Sequence, residues 1–170
     1  MSSSLLSHPL IARVRRNHAL EHATIHVLSQ QRRNLRVVGR STLSGFTLYG
    51  DLPAEAVLQA AQEALERLRT GQWELAVHPT CGTNFVAGGA LAGMGAFAVL
   101  TPRRRNLGEW LSRLPLVLLV ATLGLILGQR LGAILQAHLT TDARVGDLRI
   151  VGVVREERGP LILHHVRTEG

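Results

Sequence analysis

Residues Phe85 to Leu100 have the sequence FVAGGALAGMGAFAVL, sixteen residues without a charged side chain. Leu114 to Gln129 form a second uncharged run of the same length. As a helix, each run would be roughly 24 Å long, short of a hydrocarbon core of about 30 Å. Flanking residues such as Trp110 and Arg130 can extend each helix to both membrane interfaces. The runs predict a transmembrane helical hairpin, and the alternative is a glycine-faced hairpin buried inside a soluble oligomer.

Glycines recur at helical spacing in both runs. Gly89 and Gly93 lie four residues apart, and so do Gly124, Gly128 and Gly132. Rows of glycine let helix backbones approach closely in lipid, where packing replaces the hydrophobic effect as the driving force. They predict close helix packing, and they leave a homo-oligomer open as a partner besides the lipid bilayer.

The connection between the two runs is rich in arginine, with Arg103 to Arg105 followed by Arg113. The positive-inside rule alone would place this connection in the cytoplasm. That orientation would require export of a long arginine-rich stretch, and the N-terminus lacks the charge order of a signal peptide. We therefore expect a multi-pass membrane protein with both termini in the cytoplasm, in which Arg103 to Arg105 contact lipid headgroups.

The composition excludes several classes of protein. With 46% hydrophobic and 18% charged residues, the chain is too apolar to be intrinsically disordered. The net charge is +7, and all 19 basic residues are arginine. However, only 4% of residues are aromatic, and no nucleic-acid-reading motif accompanies the arginines. Cys81 is the single cysteine and cannot form an intramolecular disulfide. We therefore expect no nucleic-acid partner and no need for an oxidising compartment.

Polar segments on both sides of the apolar runs predict an α+β module interrupted by the hairpin. Two helices are expected, over 8–31 and 53–69. Five strands are expected, over 35–38, 45–48, 73–78, 148–154 and 161–166. The last two strands would complete the sheet of the N-terminal part. The predicted organisation is an α+β module at 1–84, a transmembrane hairpin at 85–138 and a C-terminal β-hairpin at 139–170.

The first predicted helix contains the sequence RNHALEHATIH, from Arg16 to His26. A step of roughly 100° per residue puts His18, Glu21 and His22 on its apolar face, with His26 at the edge. Buried imidazoles and carboxylates need partners, because unpaired burial costs free energy. Two histidines at i and i+4 can present ring nitrogens to one metal ion. His18 and His22 are therefore candidate metal ligands.

The pattern His18-x-x-Glu21-His22 resembles the H-x-x-E-H motif of the inverted-zincin metallopeptidases. This resemblance implies that His18 and His22 ligate zinc and that Glu21 is the general base that activates water. It covers five residues. The glutamate ligand that those larger enzymes take from a later helix is not identified in this chain.

A second motif, HPTCGTN, runs from His78 to Asn84. Its spacing allows His78 or Cys81 to complete a metal shell. The motifs NHALEH and HPTCGTN, followed by a glycine-rich hairpin, together resemble an uncharacterised bacterial family of small membrane proteins, and that likeness implies no activity. His164 and His165 point to opposite faces of a predicted strand, so at most one of them can face the site.

The leading hypothesis is a membrane-embedded, zinc-dependent hydrolase that acts on a peptide or another acyl substrate. The first alternative is a non-catalytic membrane protein in which the same residues form a structural metal site or a polar core. The second is a thiol-dependent hydrolase in which Cys81 is activated by the start of the following helix and by His78 or His22. The sequence leaves open whether the chain is an enzyme.

Overall fold

The computed structural model describes residues 5–32, 34–101 and 107–170. The chain divides into two compact units, Met1–His78 with Ala137–Gly170 and Pro79–Gln136. We call the first the α+β unit and the second the hairpin unit. The predicted α+β class is confirmed, because the described residues combine helices with a four-stranded antiparallel sheet.

In the α+β unit, two helices pack against the sheet, and short 3₁₀ turns occupy Leu5–Ser7 and Trp73–Ala76. The helices are α1, Pro9–Gln31, and α2, Ala54–Arg69; the strands are β1, Val38–Thr42, β2, Gly45–Tyr49, β3, Arg149–Arg158, and β4, Leu161–Glu169. The strand order is β1-β2-β4-β3, so β4 pairs with β2. The C-terminal hairpin β3–β4 and the hairpin β1–β2 therefore form one sheet.

Alternation along the strands directs one face of the sheet toward the helices. Phe46, Leu48 and Val166 are buried on this face and share a core with helix residues such as Leu28 and Leu68. Burial of each large aliphatic or aromatic side chain contributes about 1.5–3 kcal/mol. This core fixes α1, the helix that carries the candidate ligands, against the sheet.

Helix α1 is buried on more sides than its apolar stripe predicts. Leu20 and Thr24 fall opposite the histidines on the helical wheel, yet both are fully buried. The reason is that α1 contacts α2, strands β1 and β2, and the turn Trp73–Ala76. The predicted single inward face is therefore too narrow for the second half of this helix.

The predicted strand at 73–78 is wrong, because Trp73–Ala76 form a 3₁₀ turn. A strand needs a neighbour that accepts and donates ladder hydrogen bonds. Here the carbonyl groups of Ala76 and Val77 accept hydrogen bonds from histidine side chains of α1. Burial does not follow the alternation of apolar and polar residues, because the consecutive residues Leu75 and Ala76 are buried and the apolar Trp73 is exposed.

The hairpin unit consists of two helices that pack against each other, α3, Gly82–Leu100, and α4, Leu107–Leu135. A π-helical turn, Gln136–Thr140, follows α4. Both helices are longer than the uncharged runs, and the 19 residues of α3 span roughly 28 Å. Among the described residues, two helices are therefore long and apolar enough to cross a membrane. Only 17% and 11% of the residues in their most apolar windows are buried, unlike the core helices of a soluble protein.

One of the two predicted glycine rows forms the contact between the helices. A Cβ added at Gly124 would lie 2.7 Å from the Ala92 nitrogen, and one at Gly128 would lie 2.1 Å from the Gly88 Cα. Gly89 and Gly93 do not face α4, since no described atom lies within 4 Å of a Cβ at either position. Close packing is confirmed for the α4 row, and the α3 row faces away from this contact.

Polar groups close both ends of the hairpin. At one end, Arg113 of α4 donates to the Val99 carbonyl near the end of α3, at 2.9 Å. At the other, Gln136 donates to the Asn84 Oδ1 at 2.6 Å, and Asn84 donates to the Pro79 carbonyl at 2.8 Å. The predicted headgroup contacts of 103–105 lie outside the described residues.

We predict that Gly128→Ala destabilises the hairpin unit. The added methyl group would overlap the backbone of Gly88, and overpacking of this kind costs about 1–3 kcal/mol. The thermal unfolding midpoint of the full chain in detergent, followed by circular dichroism, should fall. Gly89→Ala is the matched control, and it should leave the midpoint unchanged or raise it, because alanine favours a helix. Equal midpoints for the two variants would contradict the packing.

Candidate metal centre

Four histidines of the α+β unit lie next to one another, and we call them the histidine cluster: His18, His22, His26 and His78. The rings of His18 and His22 have centroids 4.3 Å apart and meet edge to face. The His78 ring lies 5.8 Å from that of His22 and 4.8 Å from that of His26. Three of these residues occupy successive turns of α1, and the fourth follows the turn Trp73–Ala76.

Backbone carbonyl groups fix the orientation of the three α1 rings. The Nδ1 of His18 lies 2.9 Å from the Thr140 oxygen, and the Nδ1 of His22 lies 2.7 Å from the Ala76 oxygen. A carbonyl oxygen only accepts, so each of these nitrogens carries the hydrogen. In the neutral ring the Nε2 atom then carries no hydrogen, and this is the form in which it can bind a metal ion. A histidine that binds a metal ion through one ring nitrogen usually donates a hydrogen bond from the other, as these rings do from Nδ1.

His26 is held in the reverse sense. Its Nε2 donates to the Val77 carbonyl at 3.0 Å, which leaves Nδ1 as the acceptor atom of the neutral ring. On the helical wheel, His26 lies only at the edge of the face that carries His18 and His22. The spacing of four residues after His22 was the available signal for its place in the cluster.

The environment of His78 keeps its ring neutral. Burial, followed by the nearby rings of His26 and His22, lowers the pKa of His78 to about 4. At neutral pH this imidazole is therefore unprotonated. A neutral ring is the form in which histidine binds a metal ion.

The fully buried side chain of Asn17 holds helix α1 in position through two hydrogen bonds. Its Nδ2 donates to the Thr42 carbonyl at 2.8 Å, and its Oδ1 accepts from the Thr168 hydroxyl at 2.8 Å. These bonds join α1 to the β1–β2 turn and to β4, one residue before His18. Asn17 was not among the residues with a predicted role. Asparagine is unfavourable inside a helix, and that was a signal for a specific partner.

Glu21 extends from α1 toward β1. Its side chain is buried, and its Oε2 accepts a short hydrogen bond from the Ser41 hydroxyl. Its carboxylate lies over the Cα of Gly39, where a Cβ would overlap it. The assignment of Glu21 as a general base stays a prediction.

Cys81 belongs to the hairpin unit and occupies the N-cap position of α3. It is buried, and its Sγ lies 3.5 Å from the Thr83 hydroxyl. The expected location immediately before a helix is thus confirmed. Its roles as a metal ligand and as a nucleophile both stay predictions.

His164 and His165 lie on opposite faces of β4, as predicted. His164 is fully buried on the inner face, whereas His165 donates to Glu156 at 2.8 Å and accepts from Thr47 at 2.9 Å on the outer face. Burial and the charge of Arg155 lower the pKa of His164, and the Gly50 backbone and Asp51 offset this only partly. Neither residue belongs to the histidine cluster.

The cluster can hold a metal ion. A ring nitrogen of His18 and one of His22 lie within 4.8 Å of each other. Zinc bonds of about 2.1 Å place two nitrogen ligands roughly 3.4 Å apart. Small rotations of the side chains are therefore enough to bring both rings to one ion.

The fold and the site define a small α+β protein with an apolar helical hairpin and a largely half-buried histidine cluster. Residues 13–153 match the family described as Domain of unknown function (DUF6391), and the chain belongs to this family. It is 39% identical over 80 residues to an uncharacterized protein of Picosynechococcus, which covers 42% of this chain. The match spans 39% of that relative's length. No solved structure matches this chain. The expected resemblance to an uncharacterised bacterial family is confirmed.

We predict that His164 makes the stability of the chain depend on pH. Its pKa is lowered in the folded state, so the folded form is favoured above the unfolded value of about 6.5 and loses this advantage as the pH falls below it. The unfolding midpoint of the wild type should fall between pH 8 and pH 5.5. The fall should be smaller for His164→Leu. His138→Gln, at an exposed position, should retain the wild-type pH dependence, and identical slopes for all three proteins would contradict the prediction.

Proposed function

We propose that this chain is a membrane protein that binds zinc through His18 and His22. The observation that carries the proposal is the pair of hydrogen bonds from their Nδ1 atoms to the Thr140 and Ala76 carbonyls. These bonds select the tautomer in which the Nε2 atom of each ring carries no hydrogen, and this is the form in which an imidazole nitrogen can bind a metal ion. The two rings are one turn apart on a helix whose position is fixed by a core. Such an arrangement lowers the entropy that is lost when a metal binds.

Two ligands are candidates to complete the shell. His78 lies next to His22, within the same unit. Cys81 follows His78 by three residues, so the two Cα atoms are at most roughly 11 Å apart. A thiolate is a strong zinc ligand. We assign the third position to His78 or Cys81 and keep a fourth for water if the protein is an enzyme.

The hairpin unit supports the membrane assignment. Large apolar side chains cover the outside of both helices, with Phe85 71% exposed and Leu118 67% exposed. Exposed apolar surface on this scale is unfavourable in water and favourable in lipid. Two helices that pair as a hairpin return the chain to the side from which it entered. We therefore place both termini on one side, the cytoplasmic side, and regard the lipid bilayer as the principal partner.

The most specific form of the proposal is a hydrolase with its site at the membrane surface. Zinc would lower the pKa of a bound water to about 7 and polarise an acyl carbonyl. Glu21 lies three residues after His18 and one before His22, on the buried part of α1. Its carboxylate would accept the proton of that water, while Ser41 orients it. The substrate would be a peptide or another acyl compound.

A structural role is the second candidate, and the surroundings of Glu21 favour it. The carboxylate is buried, bonded to Ser41 and packed on Gly39 of β1. This arrangement fixes α1 against the sheet whether or not any reaction occurs. A closed site with four protein ligands would fit this role, and an open position would fit the hydrolase.

The first test is metal content. The purified full chain, loaded with zinc and dialysed, should retain about one equivalent by mass spectrometry of the metal. His18→Ala, at a half-buried position, should retain less than about a tenth of an equivalent, and His22→Ala provides a second ligand variant. His138→Ala is the matched control and should bind like the wild type. Less than a tenth of an equivalent in the wild type after zinc loading would overturn the proposal.

The second test separates catalysis from structure at Glu21. Glu21→Gln keeps the size of the side chain but removes its charge. If Glu21 is the base, hydrolysis of a generic acyl ester by the zinc-loaded chain should fall by about a hundredfold or more, with metal content and unfolding midpoint nearly unchanged. Loss of the metal or of the fold in this variant would instead favour the structural role.

A further inference from the structure

An apolar groove runs along the first turns of α1 in the α+β unit. It has a volume of about 470 Å³, and its apolar wall consists of Leu10, Ile11, Val14 and Leu43. Leu10 is 56% exposed and Leu43 is 44% exposed. Single exposed hydrophobic residues are normal on a protein surface, but several that line one groove indicate a binding surface.

The groove ends at the histidine cluster. Its polar end is formed by His18 and Thr140. The His18 Nδ1 donates to the Thr140 carbonyl, so the ring is held as a wall that the groove shares with the candidate metal centre. A molecule that lies in the groove would therefore place one end beside His18.

The charge at this end favours an anionic or carbonyl head. Arg15 also lines the groove, and its guanidinium is held by the carbonyls of His138 and Thr141, at 3.2 and 2.8 Å. These bonds leave its positive charge in place beside the polar end. The groove thus combines an apolar length with a cationic end, which is the complement of a fatty acyl group.

The chain itself indicates where such a ligand would come from. The apolar span Gly108–Thr140 ends at the residue that forms the polar end of the groove. Thr140 is thus shared by the groove and by a span that is apolar enough for a bilayer, and acyl chains are the abundant apolar ligands of a bilayer. We propose that the groove binds one acyl chain of a lipid-derived substrate and brings its carbonyl end to His18. This inference rests on the proposed metal site for its catalytic meaning but not for the binding itself.

Binding of straight-chain ligands of increasing length tests the groove. On the metal-free full chain in a fluorinated surfactant, calorimetry would measure affinities for carboxylates from butanoate to octanoate. Each methylene that becomes buried should tighten binding by about two- to fourfold, so octanoate should bind at least about tenfold more tightly than butanoate. Alkyl hydroxamates of the same chain lengths should be measured on the zinc-loaded protein. Their affinity should rise by a similar factor per methylene and should exceed that of the carboxylate of equal length, because the hydroxamate also binds the metal.

Variants at exposed positions separate the groove from general hydrophobicity. Leu10→Gln with Ile11→Gln should reduce the gain per methylene to nearly one, because the apolar wall is lost. Val38→Gln removes an exposed apolar residue on β1, 68% exposed, that does not line the groove, and it should leave the gain unchanged. All three positions are exposed enough for the variants to fold.

The outcomes distinguish the groove from the metal site. If carboxylate affinity rises with chain length but hydroxamates bind no more tightly than carboxylates, the result would support the groove and contradict an open metal site. Binding of acetohydroxamate to the zinc-loaded chain with no effect of chain length would overturn the groove and leave the metal site standing. A gain that stops after about four carbons, the size of an apolar side chain, would also overturn the acyl assignment in favour of a peptide.

Discussion

The hydrogen bonds from the α1 imidazoles to backbone carbonyls are the interaction on which the α+β unit depends. Thr140, Ala76 and Val77 lie in irregular or tightly turned segments whose carbonyls lack partners in the sheet. A buried carbonyl without a partner costs free energy, so these segments need donors from a neighbouring element. A neutral histidine supplies one such donor, and its other ring nitrogen carries no hydrogen. The same bonds therefore hold two connections against α1 and orient the rings of the candidate metal centre.

Glu21 and Gly39 make the contact between α1 and β1 close. A residue with a Cβ at position 39 would occupy the space of the Glu21 carboxylate, so glycine is required at that point of the strand. Ser41, two residues further and on the same face of β1, donates to the carboxylate. The helix that bears His18 and His22 is in this way locked to the sheet on one side and to the turn Trp73–Ala76 on another. A rigid helix is a suitable platform for a metal site, since ligands on it lose little freedom on binding.

The hairpin unit follows different physics. Its helices have almost no buried large side chains, and they are held together by backbone contact at Gly88, Gly124 and Gly128. Such contact is effective where dispersion and interhelical hydrogen bonds drive association, as in lipid. The buried bond between Gln136 and Asn84 adds to this at one end. A bond of this kind is stronger where water does not compete for the donor and acceptor.

Sequence patterns over long segments were enough to predict most of the fold. The apolar runs, the α2 periodicity and the alternating C-terminal strands gave the elements, because each pattern repeats over many residues. The segment Trp73–His78 was predicted wrongly as a strand, since six residues with alternating polarity fit a buried turn equally well. The role of Gly89 and Gly93 could not be chosen from spacing, because α3 has two glycine-bearing sides and only the partner helix decides which is covered.

For the candidate site, the spacing of His18 and His22 by itself placed two imidazoles on one face of a helix, because helical geometry is local. His78 was a candidate from its motif, but the closeness of His26 and His78 to His22, the choice of ring tautomer and the partner of Glu21 were decided only by the tertiary structure. They depend on where the carbonyls of residues 76, 77 and 140 and the hydroxyl of Ser41 lie, up to 122 positions away along the chain. Local periodicity carries no information about such contacts, because they are set by the packing of segments that are distant in sequence.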